Sequence, residues 1–503
     1  MRIPGWIALS LAVILLRVPG FLFGVLNIDE TDFFIIGRRV WEGAIPYVDI
    51  VDIKPPLAYL AYLPAGIGGF SLVPIQLIGV GWLLATCLVL RRAAQLWTGR
   101  EDVGWFAAIA ALIASSCDLP AINTESLFNL PIAGALLFFI RAEKEGRRRD
   151  DLFSGVLISI ATMFKHQAGI ALLAITCVLL ISGLRSRWMK MTADGSARPL
   201  RRLGWLWIGS LVPWLAVVAF YWRIGHLREL YEWNVERNFL YLGQGSGSPW
   251  PRLAVALAWS VVGAAPLIWL LAAKESVQRP DAIRLSLVLS LWLTWVPVSL
   301  GGRFYGHYFL QFAPPLALLA APSLAALYER RRLLRAPVRV VLWAALLLPL
   351  LGHWIAPFVL FAMRGLPGQD AKTRELARWI AANTSNDARL FIWGHYTPIY
   401  FLSKRLPGTR YVTTSVHMGN FDPHHLPPNF DARAHRSERD VAATLVDLKT
   451  KRPDFVIDTA PADIHDWSKV PLSAFPEILQ YVQTHYAVVA HPAGAAVYQR
   501  LSR

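Results

Sequence analysis

Residues 28–56, IDETDFFIIGRRVWEGAIPYVDIVDIKPP, gather the polar chemistry of this chain into one short stretch. It holds six carboxylates, two arginines and one lysine among strongly apolar neighbours. It opens on the pair Asp29-Glu30, with Asp32 one helical turn further, and closes on Lys54 before Pro55-Pro56. A carboxylate at a low-dielectric boundary suits general-base work, accepting a proton from a hydroxyl or amine as a new bond forms. The plainer reading is that Asp29 caps a helix and favours its dipole. Lys54 is placed to meet a lipid-linked phosphate as a point charge, or to snorkel and pair with Asp49 or Asp52. Asp32, Asp49 and Asp52 are the acids available on the acceptor side.

Further polar groups interrupt apolar sequence elsewhere. Lys165-His166-Gln167 breaks the run 152–182, and GRFYGHY brings Arg303, Tyr305 and His307 together at the end of another. Polar side chains at membrane depth are costly and mark function. Together with Lys54 they form an expected cationic patch suited to a phosphate leaving group, with ordinary headgroup binding as the alternative. Glu125, in NTES, is either a second acidic site or a helix-start residue. His417, His424 and His425 match no zinc spacing and read as surface histidines. No metal ligands and no cofactor are assigned, and dependence on a divalent metal is left open.

The elements that must position these groups are membrane helices. The 503 residues are 55% hydrophobic and 17% charged, well below the charged share of about 25% usual in soluble domains. The apolar residues fall in runs long enough to cross a bilayer. Eleven spans are expected: 5–26, 74–90, 103–119, 125–140, two short ones within 152–182 meeting at Lys165-His166-Gln167, 203–222, 253–273, 283–300, 308–328 and 338–361. One helix over 152–182 would overrun a core of about 30 Å at 1.5 Å per residue. The first run, although Arg2 precedes it, has no small-residue cleavage site and reads as a retained span.

The net charge of +16 lies in short loops between spans, as the positive-inside rule expects. No basic stripe is interleaved with stacking aromatics, so nucleic acid is not an expected partner. The pattern puts the N-terminus in the cytoplasm and the loop 27–56 outside. Residues 30–42 read as an amphipathic helix on the outer surface, its apolar face made by Phe33, Ile36, Val40 and Trp41. Residues 57–70 read as an interfacial or partly inserted helix, and 228–241 as a second amphipathic helix. The three cysteines, Cys87, Cys117 and Cys177, fall in apolar segments, so no disulfide framework is expected in the tail.

Residues 362–503 change character. Strands are expected at 389–393, 454–457, 486–490 and 496–500, and helices at 373–382, 438–448 and 475–484. Their alternation predicts a small extracytoplasmic α/β domain behind a transmembrane catalytic domain over 1–361.

Taken in order, the Asp-Glu pair, PYVDIVDIKPPL, a mid-chain lysine between two apolar helices and GRFYGHYFLQFAPPLALLA resemble the membrane glycosyltransferases of the GT-C fold. The likeness is to the family-39 type, related to protein O-mannosyltransferases and the lipid A aminoarabinose transferase, and it covers most of 5–330. It implies an α-helical polytopic enzyme of a bacterial inner membrane. Such an enzyme moves a sugar, with inversion and without a nucleotide, from a polyprenyl-phosphate donor to an extracytoplasmic lipid, glycan or protein. It also implies Asp29 as the acceptor-activating base, Glu30 as its acidic neighbour and Lys54 as the contact to the donor phosphate. Lys165, His166, Arg303, Tyr305 and His307 would line the donor site. The aminoarabinose transferases carry an acid immediately before the lysine; here Ile53 stands there, with Asp52 one residue earlier. The sugar and the acceptor are unspecified. A transporter or flippase gated by the acidic loop is the rival from another class, and a ligase or polymerase of whole glycans is a chemically close one. Charges gathered at one face rather than at mid-membrane favour the transferase.

Overall fold

A computed structural model describes residues 4–116, 120–188, 193–243, 248–258, 266–278, 281–419, 426–427 and 429–502. Cys117, His424 and His425 lie outside the described residues. The chain forms two compact units. The first comprises Met1–Leu22, Gln76–Arg223 and Pro249–Pro357; the second comprises Phe23–Ile75, Ile224–Ser248 and Phe358–Arg503.

Eight helices among the described residues are long and apolar enough to cross a membrane. They are Gly5–Phe23, Val73–Thr98, Thr124–Glu145, His166–Leu184, Arg198–Arg223, Ala282–Gly302, Gly306–Arg332 and Ala336–Met363. The other expected spans fall on the shorter helices Glu101–Ala114 and Arg148–Thr162, and on the pair Trp250–Leu257 and Pro266–Ser276. The break expected at Lys165 is present: the helix Arg148–Thr162 ends, Lys165 is extended, and a 3-10 turn at His166–Gly169 leads into the next helix.

Helix packing in the first unit uses close backbone approach. A Cβ at Gly155 would lie 2.0 Å from the Leu206 carbonyl oxygen, and one at Gly209 would lie 2.1 Å from that of Leu152. Only glycine lets these two helices touch, the small-residue solution for contact in a solvent with no hydrophobic drive between helices. Charged clasps hold helix ends: Arg202 grips Asp151 across this pair through Nε and Nη2 at 2.9 and 3.1 Å, and Arg141, on the helix Thr124–Glu145, grips Asp150 at 2.8 and 2.5 Å.

The second unit contains a five-stranded sheet. Its strands are β1 Arg389–Trp393, β2 Leu406–Pro407, β3 Phe455–Asp458, β4 Tyr486–Ala490 and β5 Ala496–Arg500, in the order β2-β1-β3-β5-β4. β1 is parallel to β2 and β3, whereas β5 is antiparallel to β3 and β4. Alternating apolar residues of β1 and β3 meet the helices Glu438–Lys451 and Pro476–His485 in a core that includes Phe391, Trp393, Leu448, Val456, Trp467 and Phe475. His417 is not a surface histidine. It is fully buried, with Nε2 2.6 Å from the Thr444 hydroxyl, and burial pushes its imidazole down to about 4.

The opening loop is built into this unit. Val51 N–H donates to the Arg410 carbonyl at 2.9 Å and bridges to Tyr411. In the helix Ile28–Trp41 the expected apolar face is buried at Phe33 and Ile36, half-buried at Val40 and exposed at Trp41. Phe33, Phe34, Ile35 and Ile36 are all buried, with Phe33 against Tyr62 and Phe34 edge-on to Phe401. Residues 57–70 form the helix Pro56–Leu60 and a 3-10 turn at Leu63–Gly66, whose Tyr59, Tyr62 and Ala65 are buried. The second amphipathic segment contains a π-helical turn, Glu232–Glu236. Beside it Arg237 bridges Glu232 and Asp440 at 2.8 Å each, and Asp440 also accepts from the Tyr411 hydroxyl at 3.0 Å.

Candidate functional site

Sequence dictates how the acidic end of the loop is held. Asn27 caps the helix Ile28–Trp41: its side chain accepts from Asp29 N–H at 3.1 Å, while Glu30 reaches back to accept from Leu26 and Asn27 N–H at 3.2 and 3.3 Å. This capping box satisfies donors that the first turn leaves over. The cap is therefore Asn27 and not Asp29. Glu30, expected beside the base, is fully buried in the capping box. Asp29 sits one residue before it, half-buried, and Asp32 follows a turn later.

The lysine end is fixed by two tyrosines. Lys54 N–H donates to Tyr59 Oη at 2.9 Å, Tyr59 donates to Asp52 Oδ2 at 3.1 Å, and Tyr47 donates to the Lys54 carbonyl at 2.7 Å. Burial, followed by the Asp52 carboxylate, pushes the Tyr59 phenol up, so it stays a neutral donor. Tyr47 holds a positive φ of 68°, a sparsely populated conformation for a bulky residue and one that clusters at functional sites. Asp52 also accepts from Ile53 N–H at 2.7 Å. Asp49 closes its own turn by accepting from Ile45 N–H at 2.8 Å. Of the acids expected on the acceptor side, Asp49 is thus spent on the loop itself.

Asp29, Asp32, Asp52 and Lys54 line one cavity of ≈ 130 Å³. Tyr241, His395, Thr413 and Ser415 also line it, and none of them stood out in the sequence. His395 follows β1, and the outer carboxyl ends of strands in open α/β sheets are where ligands gather; that rule was the signal available. Thr397, two residues on, lies 2.5 Å from Asp32 Oδ1. A larger open groove of ≈ 900 Å³ lies near Arg452, Glu477 and Arg500. Two of its charges are exposed and paired, Glu477 with Arg436 at 2.9 Å and Arg500 with Asp454 at 3.3 Å. The smaller cavity, with converging acids and a lysine, is the better chemical site.

The first unit holds its own cluster. Glu125 is fully buried and ion-paired with Lys165, and it accepts from the Thr124 hydroxyl at 2.9 Å. The Lys165 ammonium also lies 4.0 Å from the centre of the Tyr308 ring. Tyr305 stacks on His307 at 5.7 Å, and His307 meets Tyr308 edge-on at 4.9 Å. The turn that carries them is left-handed: Gly301 and Gly302 adopt φ of 78° and 61° without strain, and Phe304 is held at a φ of 48°, disfavoured for a bulky residue. Arg303 is buried between them. The structure thus brings Glu125, Lys165, His307 and Tyr305 together. It sends His166 elsewhere, stacked on Trp214 at 6.0 Å. Among the described residues, no group of three or more histidine, cysteine, aspartate or glutamate side chains is arranged to hold a metal.

Comparison with known proteins agrees with this architecture. A family model described as dolichyl-phosphate-mannose-protein mannosyltransferase matches residues 53–195. A search of curated proteins finds no match. Among solved structures, ArnT from Cupriavidus metallidurans bound to undecaprenyl phosphate is similar at a TM-score of 0.60 and 15% identity, over 99% of this chain and 98% of that one. The oligosaccharyltransferase of Archaeoglobus fulgidus, tethered to an acceptor peptide, is similar at a TM-score of 0.55 and 12% identity, over 99% of this chain and 74% of that one. The chain is a multi-pass membrane protein with the GT-C fold, the architecture of membrane glycosyltransferases.

Proposed function

We propose that the protein is an inverting glycosyltransferase that moves a sugar from a polyprenyl-phosphate donor to an extracytoplasmic acceptor. The observation that carries this reading is the loop cavity, where Asp29 and Lys54 line one space within a GT-C fold. In the reaction, the acceptor hydroxyl or amine attacks the anomeric carbon from the face opposite the phosphate. Asp29 takes its proton as the new bond forms, and the bond from the anomeric carbon to the phosphate oxygen breaks with its electron pair leaving on the phosphate. Inversion by direct displacement needs one base, unlike the two carboxylates of retaining glycoside hydrolysis. Lys54, with its backbone pinned on both sides by Tyr47 and Tyr59, offsets charge on the departing phosphate. The undecaprenyl phosphate bound by the similar ArnT supports a polyprenyl carrier. Lys165, Arg303, Tyr305 and His307 are candidates for donor binding in their own unit.

The test incubates the purified full-length protein in nanodiscs with a panel of labelled polyprenyl-phosphate sugars and hydroxyl- or amine-bearing acceptors. The expected result is release of free polyprenyl phosphate with a product of inverted anomeric configuration. Retention of configuration, or no turnover with any donor alongside transport of the intact lipid, contradicts the proposal.

A further inference from the structure

The helices Gly306–Arg332 and Ala336–Met363 are both long and apolar enough to cross a membrane, and the short link between them is strongly basic. Arg330, Arg331, Arg332, Arg335 and Arg339 fall within ten residues of sequence. Among the described residues none of the five takes part in an ion pair. The acid beside them, Glu329, is closed onto Arg100 at 2.5 Å. A groove in the membrane-helix unit runs past two of these arginines. Along the first helix it is lined by Leu324, Tyr328 and Arg331, and along the second by Arg339, Leu342 and Leu346. Spacings of three and four keep each row on one face of its helix, and each row covers about 10 Å at 1.5 Å per residue. In both rows the arginine stands nearer the link and the leucine deeper in the helix. The groove is therefore cationic at one end and apolar along the rest.

The cationic end is built around Tyr328. The Arg331 guanidinium carbon lies 3.6 Å from the centre of the Tyr328 ring, and its Nη1 donates to the Tyr328 carbonyl at 2.7 Å. Phe106 packs on the same ring at 5.3 Å and Trp343 meets it edge-on at 6.3 Å. Arg331 is thus held in place before a ligand arrives, which lowers the cost of binding one. The second helix fronts the bilayer, since only 17% of its most apolar window is buried inside the protein. An apolar groove in that position fills with acyl chain, so its side chains decide only which headgroup goes with the chain. A zwitterionic headgroup brings its own ammonium towards the two arginines. A headgroup whose phosphate has no cation of its own gives them the charge-assisted hydrogen bonds they lack.

We propose that this groove binds one anionic phospholipid, its phosphate held by Arg331 and Arg339 and an acyl chain lying along Leu324, Leu342 and Leu346. The plainer account is that basic links follow the positive-inside rule and meet the lipid surface at large. That account treats all five arginines alike, whereas the groove singles out two. The proposal stands apart from the transferase reading and does not depend on it.

The test is native mass spectrometry of the full-length protein in detergent, titrated with phosphatidylglycerol and phosphatidylcholine of the same chains. One phosphatidylglycerol should be retained with about tenfold preference. Arg331→Gln combined with Arg339→Gln should lose that preference. Arg332→Gln combined with Arg335→Gln, which removes the same formal charge, should keep it. Added phosphatidylglycerol should raise the melting temperature of wild type and of the second double variant but not of the first. No preference in the wild-type protein overturns the proposal whether or not the variants fold. An equal loss in both double variants assigns the effect to surface charge at large and overturns it too. So does displacement of the lipid by inorganic phosphate, or tighter retention of undecaprenyl phosphate than of phosphatidylglycerol.

Discussion

Each unit of the molecule sets a lysine among acids, and the two solve the electrostatics differently. In the membrane-helix unit, Glu125 is fully buried and closed onto Lys165, whose ammonium also rests on the Tyr308 ring. The charges there satisfy one another. In the unit that carries the loop, Lys54 is fixed through its backbone by two tyrosines, while Asp29, Asp32 and Asp52 share a cavity wall with it. The hydrogen bonds there hold the chain in place around a space. The same residue types therefore close onto one another in one place and surround a space in the other. The contrast depends on what lies beyond the side chains and not on their identity.

The largest expected effect falls on the clasp. Lys165→Ala leaves Glu125 buried without its ion-pair partner, which costs about 3–5 kcal/mol, read as a loss of thermal stability in nanodiscs. The double variant Lys165→Met with Glu125→Gln should recover most of it. If that variant regains stability but not transfer, the pair does more than hold the fold, and the contrast between the units weakens. Next in size is the scaffold beneath the cavity. His417 is held down to about 4 by burial, so the unfolded chain binds a proton that the native one does not. The stability it confers is present above its ordinary value of about 6.5 and is lost as pH falls through 4, a change on the order of 3 kcal/mol. His417→Gln should flatten that part of the stability curve. Lys54→Ala should behave unlike Lys165→Ala: stability changes by about 0.5 kcal/mol or less, while apparent donor affinity drops about tenfold, or ~1.4 kcal/mol. Unchanged donor affinity removes Lys54 from the site. Smallest is Tyr59→Phe, which deletes the hydroxyl that joins Lys54 N–H to Asp52 and should cost about 1 kcal/mol.

The architecture was largely legible in the sequence because it rests on local patterns. Hydrophobic runs marked the membrane helices, and the polar break at Lys165 fell where one helix gives way to a 3-10 turn. Alternation placed β1, β4 and β5 at their observed bounds. The site was legible only in part. Asp29 and Lys54 stood out as charges in apolar surroundings, and they do line one cavity. Three things were hidden for one reason, that each depends on contacts far along the chain or on a choice between donors. Asp32 meets a threonine 365 residues away. Glu30 is taken up by a cap that begins at Asn27, because the extra asparagine outcompetes Asp29 for that position. His417 is buried against Thr444 rather than exposed, because its own strand-to-helix turn packs under the helix Glu438–Lys451.

The proposed chemistry turns on Asp29. The direct measurement is the rate of sugar transfer by Asp29→Asn in nanodiscs, beside its melting temperature and its donor affinity. Loss of a positioned base predicts a fall of roughly 10²–10⁴-fold in rate, with the fold and donor binding retained. Wild-type turnover by Asp29→Asn would contradict the account.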